Sequence, residues 1–299
     1  MKVAILGSAN LDLVYEVERI PAPGETVLAR GFASYPGGKG NNQAVAAVRA
    51  GADTVFIVAL GPDDAGRRLD TEARAAGIDV RPRYPGGPTG TAVIYVDRHG
   101  ENSIVVNSGA NAALTKLSTT DLAAIDTADV LVLQMETPVR TVAKAIAEAK
   151  TTGTAVVLNA APSGAVTRRL VSQVDVLIVN EHEAAEIVGE ACDAAELVSE
   201  LTAQGCAVIV TLGAAGALVG VPGAAPVRVP AYEVDAVDTT GAGDAFVGAF
   251  AAVFDGTGLE ALVDATGFAT AAAAIAVQRK GAVPSIPTLE EVLEFREGR

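Results

Sequence analysis

Histidine, cysteine and tryptophan are nearly missing from this 299-residue chain. His99 and His182 are its only histidines, which makes a zinc site or a histidine-based catalytic triad improbable. Two cysteines, Cys192 and Cys206, do not amount to a disulfide framework and indicate a reducing compartment, with both thiols structural. We therefore expect a cytoplasmic protein.

Basic residues and long apolar runs are also scarce. There are 22 Lys and Arg against 36 Asp and Glu, for a formal net charge of −14, which argues against nucleic acid or an anionic membrane surface as a partner. The apolar run in the opening MKVAILGSANLD is too short for the hydrophobic region of a signal peptide. The sequence also has no run of about 18 apolar residues, so no membrane span is predicted. Any anionic ligand has to be held by local groups.

Short β-branched runs alternate with alanine-rich helical patterns through the second half of the chain. The runs lie at 129–134, 155–159, 176–180 and 207–213, and helices are predicted to begin at Pro138 and Glu181. This alternation is typical of βαβ units and predicts an α/β fold whose mostly parallel sheet is flanked by helices on both faces. Ligands of such a sheet bind at the carboxyl ends of its strands.

Three segments, at about 11–18, 26–36 and 90–108, have a different pattern. The last has alternating apolar residues on both sides of Arg98, His99 and Gly100, which predicts a β-hairpin. We interpret the three as a small β-sheet lid inserted into one domain that spans residues 1–299. A flap at the edge of a ligand cleft usually shields the chemistry from water.

The stretch DTTGAGDAFVG, residues 238–248, opens an apolar helix with more special residues than a cap requires. Gly241 and Gly243 expose backbone N–H groups at the positive end of the helix dipole, where an anion such as phosphate can approach. Asp244 would repel that anion unless it takes a proton from the attacking group. Taken alone, the stretch is explained equally well as an ordinary capped helix with an aspartate favoured by the dipole.

Common nucleotide-binding motifs are missing, but a second polar cluster is present. Neither GxxxxGK[ST] nor GxGxxG occurs, so neither a P-loop nor dinucleotide binding is supported. PGGKGNNQA, residues 36–44, combines glycines with amides and a lysine that can hydrogen-bond a polyhydroxyl ligand, although a glycine-rich helix start is the simpler explanation in isolation. Asn10 and Asp12 would face the same side of an extended segment as a hydroxyl clamp, and a turn explains them nearly as well.

Taken together, these segments resemble the ribokinase family of carbohydrate kinases over essentially the whole chain. The resemblance rests on the spaced set GSANLD, PGGKGNNQA, QMET, NEHEAAEI, TLGAAGA, DTTGAGDAFVG and AAAAIAVQRKGAVPS, which begin at residues 7, 36, 134, 180, 211, 238 and 271. It implies a single ribokinase-like α/β kinase domain. The implied reaction is ATP-dependent phosphorylation of D-ribose at O5.

The resemblance also implies residue roles. Asp244 would be the general base, and the backbone N–H groups of Gly241, Ala242 and Gly243 would form an anion hole. The sugar would be held by Asn10, Asp12, Gly38, Lys39, Gly40, Asn42, Glu136 and Asp244. ATP would be bound by Asn180, Thr211, Leu212, Gly213, Ala214, Ala215, Gly216, Gly243 and Thr270.

Two metal ions follow from the same resemblance. Glu183 would act on Mg²⁺ through water, because Mg²⁺ keeps much of its hydration, although glutamates at a helix N-terminus are also favoured by the dipole. A monovalent cation, K⁺, would be enclosed by Asp238, Thr240, Ala276, Arg279, Gly281 and Ser285 and would orient the anion hole. The competing explanation for Arg279 is a solvated helix C-terminus.

The acceptor and the assembly remain open at this stage. Deoxyribose, another furanose or a nucleoside would fit the same kinase, and a catalytically inactive sugar-binding regulator is a further alternative that an intact Asp244 and Glu183 disfavour. Apolar lid residues such as Leu11, Ile94 and Val106 predict that two lids pack together in a homodimer.

Overall fold

The computed structural model describes residues 1–164, 167–190 and 193–298, so Cys192 lies outside the described residues. Within these ranges the strands are β1 (Lys2–Gly7), β2 (Asn10–Glu16), β3 (Gly31–Gly37), β4 (Asp53–Ala59), β5 (Asp79–Arg83), β6 (Gly90–Val96), β7 (Asn102–Asn107), β8 (Val130–Gln134), β9 (Ala155–Asn159), β10 (Val176–Asn180), β11 (Ala207–Thr211), β12 (Ala217–Gly220) and β13 (Val227–Val229). The α-helices are α1 (Lys39–Arg49), α2 (Asp64–Ala75), α3 (Ala110–Ala113), α4 (Thr119–Asp126), α5 (Val139–Thr152), α6 (Arg168–Val171), α7 (Glu181–Val188), α8 (Ala194–Thr202), α9 (Ala242–Val253), α10 (Leu259–Ala276), α11 (Ala282–Ser285) and α12 (Leu289–Glu297), and a 3₁₀ turn covers Gly213–Ala215.

The large sheet has the strand order β13-β12-β11-β10-β9-β8-β1-β4-β5. Its strands from β11 to β5 are parallel, and β12 and β13 extend one edge in antiparallel pairing. Strands such as β8, VLVLQ, are buried along their whole length, because helices cover both faces and every side chain meets a core. The predicted mostly parallel sheet flanked by helices is confirmed.

Two apolar cores lie on opposite faces of this sheet. One is built by α1, α9 and α10, with Phe250 among its largest buried side chains. The other is built mainly by α4, α5, α7 and α8, with Ile146 among its largest fully buried side chains. The helices that carry the glycine clusters therefore belong to one face, and α7 belongs to the other.

A second, four-stranded sheet has the order β3-β2-β6-β7. The predicted hairpin is present as β6 and β7, which pair antiparallel. Strand β2 runs antiparallel to β3 but parallel to β6, so this sheet is mixed. Strand β3 begins at Gly31, later than the expected start near residue 26. Phe32, Ile104 and Val105 of this sheet are exposed.

Helix α10 is the one described helix that is long and apolar enough to cross a bilayer by length and composition alone. Most of its residues are buried, and Leu262, Phe268 and Ala269 belong to the core shared with α9. We therefore interpret it as a core helix of the folded chain.

The carboxyl ends of the central strands meet at one edge of the large sheet. Gln134 at the end of β8 is in register with Asn159 of β9, and Asn180 of β10 is in register with Thr211 of β11. The start of α1 lies against the end of β1, where a Cβ on Gly40 would be 2.6 Å from the Ser8 nitrogen. Polar side chains are thus gathered at the edge where parallel sheets bind ligands.

Candidate active site

Helix α9 begins without a side-chain cap among the described residues. Gly241 at its N-cap has φ +77°, a left-handed conformation that favours glycine, and a Cβ there would be 2.9 Å from Ala282. The Ala242 N–H donates to the Thr239 carbonyl at 3.3 Å. The first turn of α9 is a positive helix end, which suits an anion.

Asp244 lies one turn into this helix and is buried. The Asn42 side-chain amide donates to its Oδ2 at 2.9 Å, and the Gln43 amide donates to its Oδ1 at 2.9 Å. Both donors come from the first turns of α1. The two predicted glycine-rich helix starts therefore converge on a single carboxylate.

A cavity of about 550 Å³ lies between the second sheet and the end of β8. Asn10 and Glu136 line it, and so do Asn111 and Val106, which were not among the predicted sugar-site residues. The Asn111 amide donates to Asn10 Oδ1 at 2.9 Å and fixes that side chain. Glu136 accepts from the Ser8 hydroxyl and, at 3.3 Å, from the Lys39 N–H.

The carboxylates of Glu136 and Asp244 act on the charge of both Asp12 and Lys39. Burial, followed by the negative charges of Glu136 and Asp244, raises the pKa of Asp12 to about 7. Burial would lower the pKa of Lys39, but Asp244, Glu136 and Glu183 together raise it, so Lys39 is a cation at neutral pH. A Cβ on Gly37 would be 2.1 Å from Asp12 Oδ2, so only glycine leaves room for that carboxylate.

A smaller cavity of about 150 Å³ adjoins Asp244. Its polar lining includes Lys39, Asn159, Asn180, Glu183 and Thr211, together with Gly241 and Gly243 from the start of α9. Asn180 and Glu183 form a capping box, in which each side chain accepts from the other residue's backbone N–H at 2.8 and 2.9 Å. Burial raises the pKa of Glu183, an effect that the Asn180 N–H and the charge of Lys39 only partly offset.

A third cavity, of about 570 Å³, continues from Thr211 and Gly243. The predicted ATP-site residues that line it are Thr211, Gly213, Ala214, Gly216, Gly243 and Thr270. Leu212 instead packs against the core on the opposite face, and the Ala215 carbonyl accepts from Arg228 at 3.2 Å. The lining also includes apolar and aromatic residues that sequence analysis missed, among them Tyr232, Val234, Phe246 and Val277.

The predicted cation site lies beside the start of α9. Asp238 accepts from the Thr240 N–H at 2.9 Å and the Gly281 N–H at 2.8 Å. Burial opposes the effect of these hydrogen bonds, but they hold the pKa of Asp238 below its usual range. Arg279 points its guanidinium to Glu291 at 2.6 Å, so only its backbone carbonyl is left for a cation.

The other two members of this predicted set have partners of their own. The Ala276 carbonyl accepts from the Arg279 N–H at 3.0 Å, and the Ser285 hydroxyl donates to the Ala282 carbonyl at 2.7 Å.

Several polar residues behind Asp244 were not predicted. Gln43 lies within the quoted NNQ stretch, and Gln134 and Asn159 are polar residues that end apolar strands. A buried polar residue at the carboxyl end of a parallel strand is the signal that could have indicated the last two. Asn111 gives no such signal, because it lies in the short helix α3 after the hairpin.

Asp244, at a helix N-terminus, borders a small cavity that adjoins a larger cavity with apolar walls, and a cleft lined by Asn10 and Glu136 lies beside the four-stranded sheet. A carboxylate base beside a positive helix end and a buried lysine suits phosphoryl transfer to a hydroxyl group. Fold and site together define a kinase of small hydroxylated molecules.

Comparison with known proteins identifies the family. A model of the pfkB family of carbohydrate kinases matches residues 1–289, and the chain belongs to that family. A ribokinase from Haemophilus influenzae is 39% identical over 304 residues, covering 99% of this chain and 98% of the relative. A deoxyribokinase from Salmonella typhi is 34% identical, covering 99% of this chain and 98% of the relative.

A solved structure of Arabidopsis thaliana ribokinase complexed with ribose and ATP has a TM-score of 0.89 and 32% identity, with 98% of both chains covered. The resemblance noted from the sequence motifs is thereby confirmed, and the protein is a sugar kinase.

Proposed function

We propose that this protein transfers the γ-phosphoryl group of ATP to O5 of D-ribose, giving D-ribose 5-phosphate and ADP. The observation that carries the proposal is the position of Asp244, which lies at the first turn of α9 and is held by Asn42 and Gln43. It borders the small cavity, which shares the lining residues Thr211 and Gly243 with the nucleotide-sized cavity.

In the proposed mechanism Asp244 accepts the proton of the sugar hydroxyl as that oxygen forms its bond to the γ-phosphorus. The bond from the γ-phosphorus to the bridging oxygen breaks at the same time, and ADP leaves. Backbone N–H groups at the start of α9 and the cationic Lys39, which lines the same small cavity, stabilise the charge on the phosphoryl oxygens.

The sugar would occupy the cleft lined by Asn10 and Glu136, with Asp12 as a further acceptor of its hydroxyl groups. The four-stranded sheet would act as a lid on a single kinase domain and exclude water from the transfer. The resemblance to Haemophilus influenzae ribokinase supports ribose, and the resemblance to the deoxyribokinase makes deoxyribose the leading alternative acceptor.

The residues present fit a magnesium ion held mostly by phosphate oxygens and water. No cluster of three or more His, Cys, Asp or Glu that could hold a metal occurs in the described ranges. Glu183 lines the small cavity and could bind such an ion through water. Bound there, the ion would neutralise charge on the nucleotide phosphates.

A monovalent cation such as K⁺ would be held by the Asp238 carboxylate and neighbouring backbone carbonyls. Asp238 already binds the Gly281 N–H, and Ala282 lies directly against Gly241. A cation at this position would therefore stabilise the turn that sets the direction of the first N–H groups of α9. Arg279 would contribute only its carbonyl.

We also propose a cytoplasmic homodimer that forms through the lids. Ile104, Val105 and Val106 on edge strand β7 are more than half exposed, and Phe32 is exposed on β3. A second copy would cover these side chains, which a single thin sheet leaves in water.

Nucleotide-coupled ADP release with ribose, deoxyribose, other pentoses, hexoses and nucleosides tests the acceptor. We expect the highest kcat/KM with ribose, and matched runs in K⁺ and Na⁺ at equal ionic strength test the cation. A higher kcat/KM for deoxyribose or a nucleoside would overturn the ribose assignment, and an absence of ADP release with every acceptor would favour the inactive regulator.

A further inference from the structure

Behind Asp244 lies a buried network of side-chain amides, of which Gln43 is the member that contacts the carboxylate. Gln43 Nε2 donates to Asp244 Oδ1 at 2.9 Å and also to Asn159 Oδ1 at 3.0 Å. Gln134 Nε2 donates to Gln43 Oε1 at 2.6 Å. Gln43 and Gln134 are fully buried, and Asn159 is 8% exposed.

The Asn159 end of this amide network fixes the direction of each of its hydrogen bonds. Asn159 Nδ2 donates to the Ile178 carbonyl of β10 at 3.1 Å. Because that carbonyl can only accept, Asn159 has to turn its oxygen toward Gln43, and Gln43 has to present its NH₂ group there. The same NH₂ group is then the one that faces Asp244, and the Gln43 oxygen is left to accept from Gln134.

Helix packing holds this amide network close to the carboxylate. Gly248 lies one turn after Asp244 on α9, and a Cβ there would be 2.4 Å from both Ala46 Cβ and the Gln43 carbonyl oxygen. The glycine thus allows the backbones of α1 and α9 to approach closely, which brings the Gln43 side chain within hydrogen-bond distance of Asp244.

We infer that Gln43 is a positioning residue that holds the Asp244 carboxylate in one rotamer. Asn159 and Gln134 orient the Gln43 amide, so that its NH₂ group donates to Asp244. The inference rests on the proposed role of Asp244 as general base. A fixed carboxylate is held ready for the sugar hydroxyl, and a misplacement of about 1 Å can cost on the order of 10²-fold in rate. Gln43 acts on kcat through Asp244.

The test compares Gln43→Met, Gln43→Glu and Gln134→Met with Thr154→Val as a control. Thr154 is a buried residue that donates to the Ile125 carbonyl at 3.0 Å, so the control also removes a buried hydrogen bond. Gln43→Met keeps the side-chain length and removes the donor to Asp244. Gln134→Met leaves the donor to Asp244 in place and removes one of the two groups that orient Gln43.

We expect Gln43→Met to lower kcat by about 10-fold to 10²-fold while the KM values for ribose and ATP stay within about 3-fold. Gln134→Met should show a smaller fall of the same kind. Gln43→Glu places a second carboxylate beside the base and should move the acidic limb of the kcat–pH profile up by about one pH unit or more. Asp12 and Lys39, whose pKa values respond to the charge of Asp244, and Glu136, which acts on both of them, are unchanged in every variant.

Thr154→Val should leave kcat and the pH profile as in the parent protein. The inference is overturned if Gln43→Met and Gln134→Met, shown to be folded by circular dichroism, keep kcat within about 2-fold, or if Gln43→Glu leaves the profile in place. If either glutamine variant fails to fold, the other decides by the same criterion. Retained turnover in Asp244→Asn would instead refute the general base itself, so the two failures are distinguishable.

Discussion

Asp12 is expected to lower the stability of the free enzyme in exchange for binding the sugar. Its pKa is raised from 3.8 to about 7, first by burial and then by the charges of Glu136 and Asp244. The folded chain therefore keeps a proton that the unfolded chain has lost between these two pH values. Stability falls as pH rises through this window, and the full cost is present above about pH 7.

The size of the effect follows from the interval between the two pKa values. That interval corresponds to at most ~4 kcal/mol, and because Asp12 is only half-buried, solvent reduces the cost. We expect Asp12→Asn to gain stability over the parent protein by ~1–2 kcal/mol more at pH 8 than at pH 5. The same variant should lose ~2–5 kcal/mol in kcat/KM for ribose, with nucleotide affinity unchanged.

Urea denaturation of both proteins at the two pH values measures the first effect, and steady-state kinetics with varied ribose measure the second. Glu16→Gln, at the exposed end of the same strand, controls for the loss of one negative charge. A stability gap between Asp12→Asn and the parent that is constant or narrows from pH 5 to pH 8 would refute the reasoning.

Three further changes test other parts of the molecule. Gly248→Ala should cost ~1–3 kcal/mol in urea denaturation, since the new methyl group would be 2.4 Å from Ala46 Cβ, and unchanged stability would argue against the tight packing of α1 on α9. Asp238→Ala should lower kcat and abolish any difference between K⁺ and Na⁺, because it frees the Gly281 N–H without touching a reactant, and a preserved K⁺ response would count against the cation site. Val105→Asp should shift the sedimentation coefficient at micromolar concentration from dimer to monomer, and a parent protein that is already a fully active monomer would contradict the lid interface.

Local patterns in the sequence were enough to predict the class of the large sheet and its strands β8 to β11. The runs at 155–159 and 176–180 coincide with β9 and β10, because continuous apolar β-branched segments between helices can only be buried on both faces. The second sheet was harder to predict. The parallel pairing of β2 with β6 joins segments about 80 residues apart, and no local pattern carries that information.

The site was predicted to the extent that it depends on glycine and acid patterns. Asp244, Asn42 and Lys39 do lie together, as the resemblance to the carbohydrate kinase family implied. The roles of Gln43 and Asn159 depend on the distance between α1 and the ends of β8 and β9, which the sequence does not contain. Leu212 and Ala215 were predicted to bind ATP together with their loop neighbours, but they do not line the third cavity. Leu212 packs against the core, and the Ala215 carbonyl accepts from Arg228.

The central claim is that Asp244 removes the proton from the sugar hydroxyl during phosphoryl transfer. Turnover of Asp244→Asn with ribose and ATP tests it most directly, because the amide keeps the shape of the side chain and removes the proton acceptor. We expect kcat to fall by at least about 10², with ribose and nucleotide binding measured by calorimetry close to that of the parent protein. Near-normal turnover in the folded variant would contradict the claim.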